Sequence, residues 1–143
     1  MDLILLVNIN IGKSDKMDWV IGNIKHSGFY RVNYDSENWN ILINQLNDIN
    51  NFESIDVISR AQLLDDSFNL GKAELIDQTI FLKLASYLKF ETNNLAFQAA
   101  NDGFNFIESM LSDNYSVFKL FKVCYLIIDL YSIRLNYFDF IGI

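Results

Sequence analysis

The side chains able to do chemistry in this chain are the adjacent acids Asp65-Asp66, the single histidine His26, Ser59, and the cations Arg31 and Arg60. Two carboxylates form an acid/base couple only when both face one substrate, and consecutive helical positions point ~100° apart. Asp65-Asp66 therefore predicts a solvated face or a helix-packing hydrogen bond. A metal site needs several donors at ligand spacing. His26 has no Cys, Asp or second His so placed, and it reads as an exposed loop residue. Ser59 lacks the base partner that nucleophilic catalysis requires. Arg31 falls on an expected strand among aromatics, and Arg60 lies one helical turn from Asp56; both predict structural ion pairs or interdomain contacts. Cys124 has no second cysteine to pair with and reads as a small apolar core residue. No catalytic or metal-binding residue is assigned, and substrate-binding residues stay unknown at this level. Asn114-Tyr115-Ser116 fits the N-glycosylation pattern in a chain that is secreted.

These residues must be held by elements that the hydrophobic spacing reveals. Leu3, Leu5, Val7 and Ile9 alternate as on a strand, and two further strands are expected at Asp18 to Asn23 and Phe29 to Tyr34, joined by a loop holding His26. Three short strands make a marginal sheet on their own, so this part is expected to be the last piece of a sandwich and the least stable part of the chain. From Asp35 the period turns helical. Trp39, Leu42, Ile43 and Leu46 mark a first helix, and Val57, Ala61, Leu64 and Phe68 a second from about Ser54 to Leu70, with Gly71 as its stop. A third is expected from about Asp77 to Phe90, a fourth from about Leu95 to Leu111 through Ala96, Ala100, Gly103, Ile107 and Met110, and a fifth from about Ser116 to Asn136. The fifth is apolar nearly all round, with Phe118, Leu126 and Leu130 beside the stripe of Val117, Phe121, Cys124, Ile128 and Tyr131. Such a helix requires neighbours on two sides, which predicts a truncated helical array that associates through this helix.

Length and composition exclude other classes. The 143 residues fit one domain, with enough apolar (51%) and aromatic (15%) content for a core. A net charge of −7 and a pI near 4.5 oppose a nucleic-acid surface, which carries a basic footprint. The N-terminus has Asp2 where a signal peptide carries basic residues, and the apolar run from Val123 to Ile133 is broken by Asp129. Neither a leader nor a transmembrane segment is expected, so localisation stays open.

One stretch carries a resemblance. Trp19-Val20-Ile21-Gly22-Asn23-Ile24-Lys25-His26-Ser27-Gly28-Phe29-Tyr30-Arg31-Val32-Asn33-Tyr34-Asp35 resembles the junction in the aminopeptidase N family of zinc exopeptidases where a small β-domain meets a C-terminal helical domain. The likeness continues through Ser59-Arg60-Ala61-Gln62-Leu63-Leu64-Asp65-Asp66-Ser67-Phe68-Asn69-Leu70 and Ser86-Tyr87-Leu88-Lys89-Phe90-Glu91. It implies a mainly α fold: residues 1–35 as two or three strands left from a β-sandwich, then residues 36–143 as about five antiparallel helices of a HEAT- or armadillo-like α-α solenoid. It also implies a parent enzyme that removes N-terminal residues from peptides with zinc, held by a His-Glu-x-x-His helix and a distant Glu. A chain with one histidine holds no such site. The resemblance thus implies a non-catalytic segment that helps enclose an active-site cavity built elsewhere. Its partners would be the remainder of an aminopeptidase or a second copy bound through the fifth helix. The alternative of different class is a freestanding helical interaction protein that binds a full-length aminopeptidase or another partner.

Overall fold

The computed structural model describes residues 19–121. The expected strand at Leu3 to Asn10, and Cys124, Leu126 and Leu130, lie outside them. Four helices follow one another: α1 (Ser36–Leu46), α2 (Val57–Lys72), α3 (Thr79–Ala85) and α4 (Asn94–Leu111). Residues 115–121 are helical as well, at the expected start of the fifth. The mainly α architecture stands.

Three of the helices begin where a capping side chain meets free amides. Asp35 accepts from the Asn38 N–H ahead of α1, Asp56 from the Ile58 and Ser59 N–H groups ahead of α2, and Asn93 from the Leu95 N–H ahead of α4. Helix α2 starts three residues later than expected because Phe52–Ser54 form a separate 3-10 turn. It also runs through Gly71. The left-handed position that ends it is Glu74, at φ 59°. Around it the Leu75 N–H bonds to the Leu70 carbonyl and the Glu74 N–H to the Gly71 carbonyl, both at 3.0 Å, which is the Schellman closure. Gly71 instead serves packing, since a Cβ there would lie 3.3 Å from the Gln78 Cα. The expected third helix is divided, with α3 tightening into a 3-10 turn over Ser86–Lys89.

Helix α1 packs on α3, while α2 packs on both α3 and α4. Helices two apart in the chain thus lie side by side, the stacking rule of a two-layer α-α array. Apolar burial holds it together. Trp39, Leu42, Leu46, Leu64, Leu70, Phe81, Leu84, Tyr87, Leu88, Ala96 and Ala100 are fully or nearly fully buried, each large side chain contributing roughly 1.5–3 kcal/mol. Phe68, Phe81 and Phe104 form a chain of tilted rings at 5.4–5.6 Å, and Phe121 extends it at 6.3 Å. Gly103 permits the α4 approach, because a Cβ there would collide with the Phe81 ring. Met110, expected in this stripe, is 63% exposed in the last turn of α4.

The largest departure from expectation precedes α1. Among the described residues no strand forms, so neither segment of residues 19–34 is part of a sheet. A strand needs a partner ladder, and here side chains take its place. The Val20 N–H bonds to Asn38 Oδ1 at 2.9 Å and the Gly22 N–H to the Tyr34 hydroxyl at 3.0 Å. The Val32 N–H bonds to Asp66 Oδ2 at 3.1 Å, and the Asn23 amide bridges the Gly28 and Tyr30 carbonyls at 2.9 Å. The loop between the two segments is a 3-10 turn, Ile24–His26; Asn23 ahead of it and Lys25 and His26 within it all take positive φ.

Candidate functional site

Two polar assemblies grow from α2. The first fastens the incoming chain. The Arg31 guanidinium donates from Nη1 to the Asp65 carboxylate and, at 3.1 Å, to Asp66 Oδ1. Asp66 Oδ2 simultaneously receives the Val32 N–H and, at 3.4 Å, the Gln62 amide. Asp65 also accepts from Asn69 Nδ2 at 2.9 Å. The two acids diverge along the helix as expected, yet one guanidinium reaches both from outside. Burial alone would weaken the charge on Arg31, but the Asp65 and Asp66 carboxylates outweigh it and hold its pKa above the usual value. Burial dominates at Asp66 and raises its pKa, against the bonds from Val32, Gln62 and Arg31.

The second assembly fastens α2 to the turn before α4. Arg60 donates from Nε to Glu91 Oε2 at 2.8 Å, from Nη2 to Glu91 Oε1 at 3.1 Å, and from Nη1 to the Ile55 carbonyl at 2.6 Å. The Tyr87 hydroxyl reaches Glu91 Oε2 at 3.2 Å, and Glu91 Oε1 accepts the Thr92 and Asn93 N–H groups. The guanidinium carbon lies 5.2 Å from the Phe52 ring centroid. The partner inferred from one-turn spacing was Asp56. It is instead drawn to the α2 amides and the Ser59 hydroxyl. Burial, then the Glu91 carboxylate, pushes the Tyr87 phenol far above its ordinary pKa. A phenol so placed stays protonated near neutrality.

Neither assembly is arranged for turnover. Every charged group in them has a committed partner, and neither contains a nucleophile facing a base. His26 is exposed, and Ser59 accepts from the Lys25 N–H at 3.4 Å while donating to Asp56. Among the described residues no three His, Cys, Asp or Glu side chains converge on a metal position. Among the described residues, no helix is long and apolar enough to cross a membrane. An open groove of about 410 Å³ lies beside the first assembly, with Arg31, Asp65, Lys72 and Asp102 as its charged walls and Phe68 and Phe106 among its apolar lining. Asn114 lies on the exposed turn after α4. Sequence spacing missed Glu91 and the joint Asp65–Asp66 grip, because both partners lie more than thirty residues away along the chain. The local signal was charge at positions of a helix whose neighbouring residues are buried.

The profile described as ERAP1-like C-terminal domain matches residues 19–140, and the chain belongs to that family. Among its relatives, the aminopeptidase N of Plutella xylostella is 44% identical over 105 residues, covering 73% of this chain and 11% of that protein. The human thyrotropin-releasing hormone-degrading ectoenzyme is 41% identical over 107 residues, 73% of this chain and 10% of its own length. Aminopeptidase Ey of Gallus gallus is 38% identical over 109 residues, 73% and 11% respectively. The chain thus spans about a tenth of the length of the curated relatives it matches, and it corresponds to part of the C-terminal domain of aminopeptidase-type proteins.

Proposed function

We propose that this chain acts as a non-catalytic structural segment of a zinc aminopeptidase that removes N-terminal residues from peptides, walling the cavity in which a separate domain does the chemistry. In this reading residues 1–35 belong to the preceding β-domain and residues 36–143 open the helical domain. The observation that carries it is the grip of Asp65 and Asp66 on Arg31 and the Val32 amide. It fixes the entering chain to the second helix, so the helical stack is oriented by whatever precedes it. A cavity wall needs such a fixed angle more than it needs reactive groups. A chimaera tests this, with residues 19–121 replacing the matching segment of the Plutella xylostella aminopeptidase N. The expected result is a folded, active enzyme whose preference for peptide length shifts. A folded chimaera with unchanged length preference, or zinc-dependent release of amino acids by the isolated chain, overturns the proposal.

A second reading, contact with another protein or a second copy through the fifth helix, is favoured by Val117 and Leu120, 42% and 69% exposed at its start. Sedimentation of the full chain tests the second copy: a concentration-dependent rise in mass that Leu120→Glu abolishes supports self-association, and a monomer at all concentrations removes it.

A further inference from the structure

We propose that Asn114 is an acceptor for N-linked oligosaccharide when the chain passes through a secretory lumen, a modification independent of any aminopeptidase role. Asn114-Tyr115-Ser116 is the one place in the chain where an asparagine is followed two residues on by Ser or Thr without an intervening proline. A sequence match of this kind arises by chance, so the geometry has to carry the argument. All three residues are exposed, Tyr115 at 76%. Asn114 lies in the turn after α4, and Tyr115 and Ser116 begin the helical residues 115–121; on this exposed corner an attached sugar displaces no packed side chain among the described residues.

The asparagine's two amide atoms divide the work. Oδ1 accepts the Val117 N–H at 3.3 Å and so caps the helix that follows. Nδ2, the atom that is glycosylated, has no acceptor among the described residues. Two other turn asparagines lack this freedom. Asn47 spends its Nδ2 on the Ile43 and Lys83 carbonyls, and Asn51 on Asp48. In the transfer, Nδ2 attacks the anomeric carbon of a lipid-pyrophosphate-linked oligosaccharide. The C–N bond forms, the C–O bond to phosphate breaks, and the pyrophosphate leaves with the bonding pair while an amide proton goes to base. The product keeps its carbonyl oxygen, so the cap survives modification.

The test is secretion of the full chain from a eukaryotic host, behind a cleavable leader and with a second acceptor sequence in a C-terminal tag to report lumenal transit. Wild type is expected to carry two glycans, each removed by peptide N-glycosidase, with Asn114 recovered as aspartate in the peptide mass spectrum. Asn114→Gln and Ser116→Ala should carry only the tag glycan, and Ser116→Thr should carry both. Because the tag reports transit whatever the state of the turn, wild type modified at the tag alone overturns the proposal. Loss of the second glycan in Ser116→Thr as well as in Ser116→Ala also overturns it.

Discussion

Arg60 and Glu91, thirty-one residues apart in the chain, meet side by side in the interior through two parallel hydrogen bonds of 2.8 and 3.1 Å. Their side chains are only 7% and 1% exposed. A buried ion pair of this kind stands only when the remaining polar atoms are also satisfied, and here the Ile55 carbonyl, the Tyr87 hydroxyl and the Thr92 and Asn93 amides complete it. The pair makes the turn before α4 part of the core.

Removing one partner leaves a buried charge uncompensated. Glu91→Ala is expected to destabilise the fold by about 3–5 kcal/mol, and Arg60→Met by a smaller amount, since it strands Glu91 with its amide donors still in place. Urea titration of both single variants and the double variant checks this. The double variant should be clearly more stable than the sum of the singles implies; simple additivity would falsify the coupling.

Residues 19–34 hold their place through side chains rather than a ladder, so their protection hangs on few atoms. In the wild type the Val32 amide should exchange slowly with solvent, and Asp66→Ala should release it together with the Arg31 contact. Amides in the middle of α4 should exchange at nearly wild-type rates. Hydrogen exchange read residue by residue decides the matter, and equal loss across the whole chain would show that the segment is not a separate unit.

Gly103→Ala sets two effects against each other. Alanine favours a helix over glycine by ~1 kcal/mol, but its methyl would enter the space of the Phe81 ring. Overpacking of this kind costs typically ~1–3 kcal/mol, so net destabilisation is expected. A second change, Phe81→Leu, should make the alanine less harmful by giving it room. Thermal melts of the four proteins in this cycle provide the check, and a stabilised Gly103→Ala single variant would contradict the packing shown.

Acid should weaken the start of α2. Burial pushes the Asp56 carboxyl up, but the Ser59 hydroxyl and the Ser59 and Ile58 amides pull it further down, leaving its folded pKa below the ordinary value. A depressed folded pKa gives stability that is present above the unfolded value of ~3.9 and lost as pH falls through the folded pKa. Asp66, raised by burial, acts with the opposite sign and favours folding as it takes up a proton. Asp56→Ala, a lost N-cap worth roughly 0.5–2 kcal/mol, should therefore reduce stability at pH 7 and flatten the acid limb below pH 4. Chemical denaturation at several pH values measures this, and an acid limb as steep as the wild type's would rule out the assignment.

The sequence alone determined what depends on local spacing and local chemistry. The stripe of Trp39, Leu42 and Leu46 announces α1 because buried helix positions recur every three or four residues, and Asp35 announces its start because free amides need an acceptor. The resemblance of Trp19 to Asp35 named the family, and the single histidine excluded a two-histidine zinc site. Tertiary structure decided everything that rests on distant partners. The alternation at Phe29 to Tyr34 is the same in a strand and in a segment pinned by side chains; only the position of α2 places Asp66 at the Val32 amide. Asp56 stands one turn from Arg60 in sequence, yet the guanidinium turns inward to Glu91. Gly71 looks like a stop until Gln78 is found against it. Periodicity reports which face of an element is buried, but it carries no information about which residue of another element covers it. That is settled only when the helices pack.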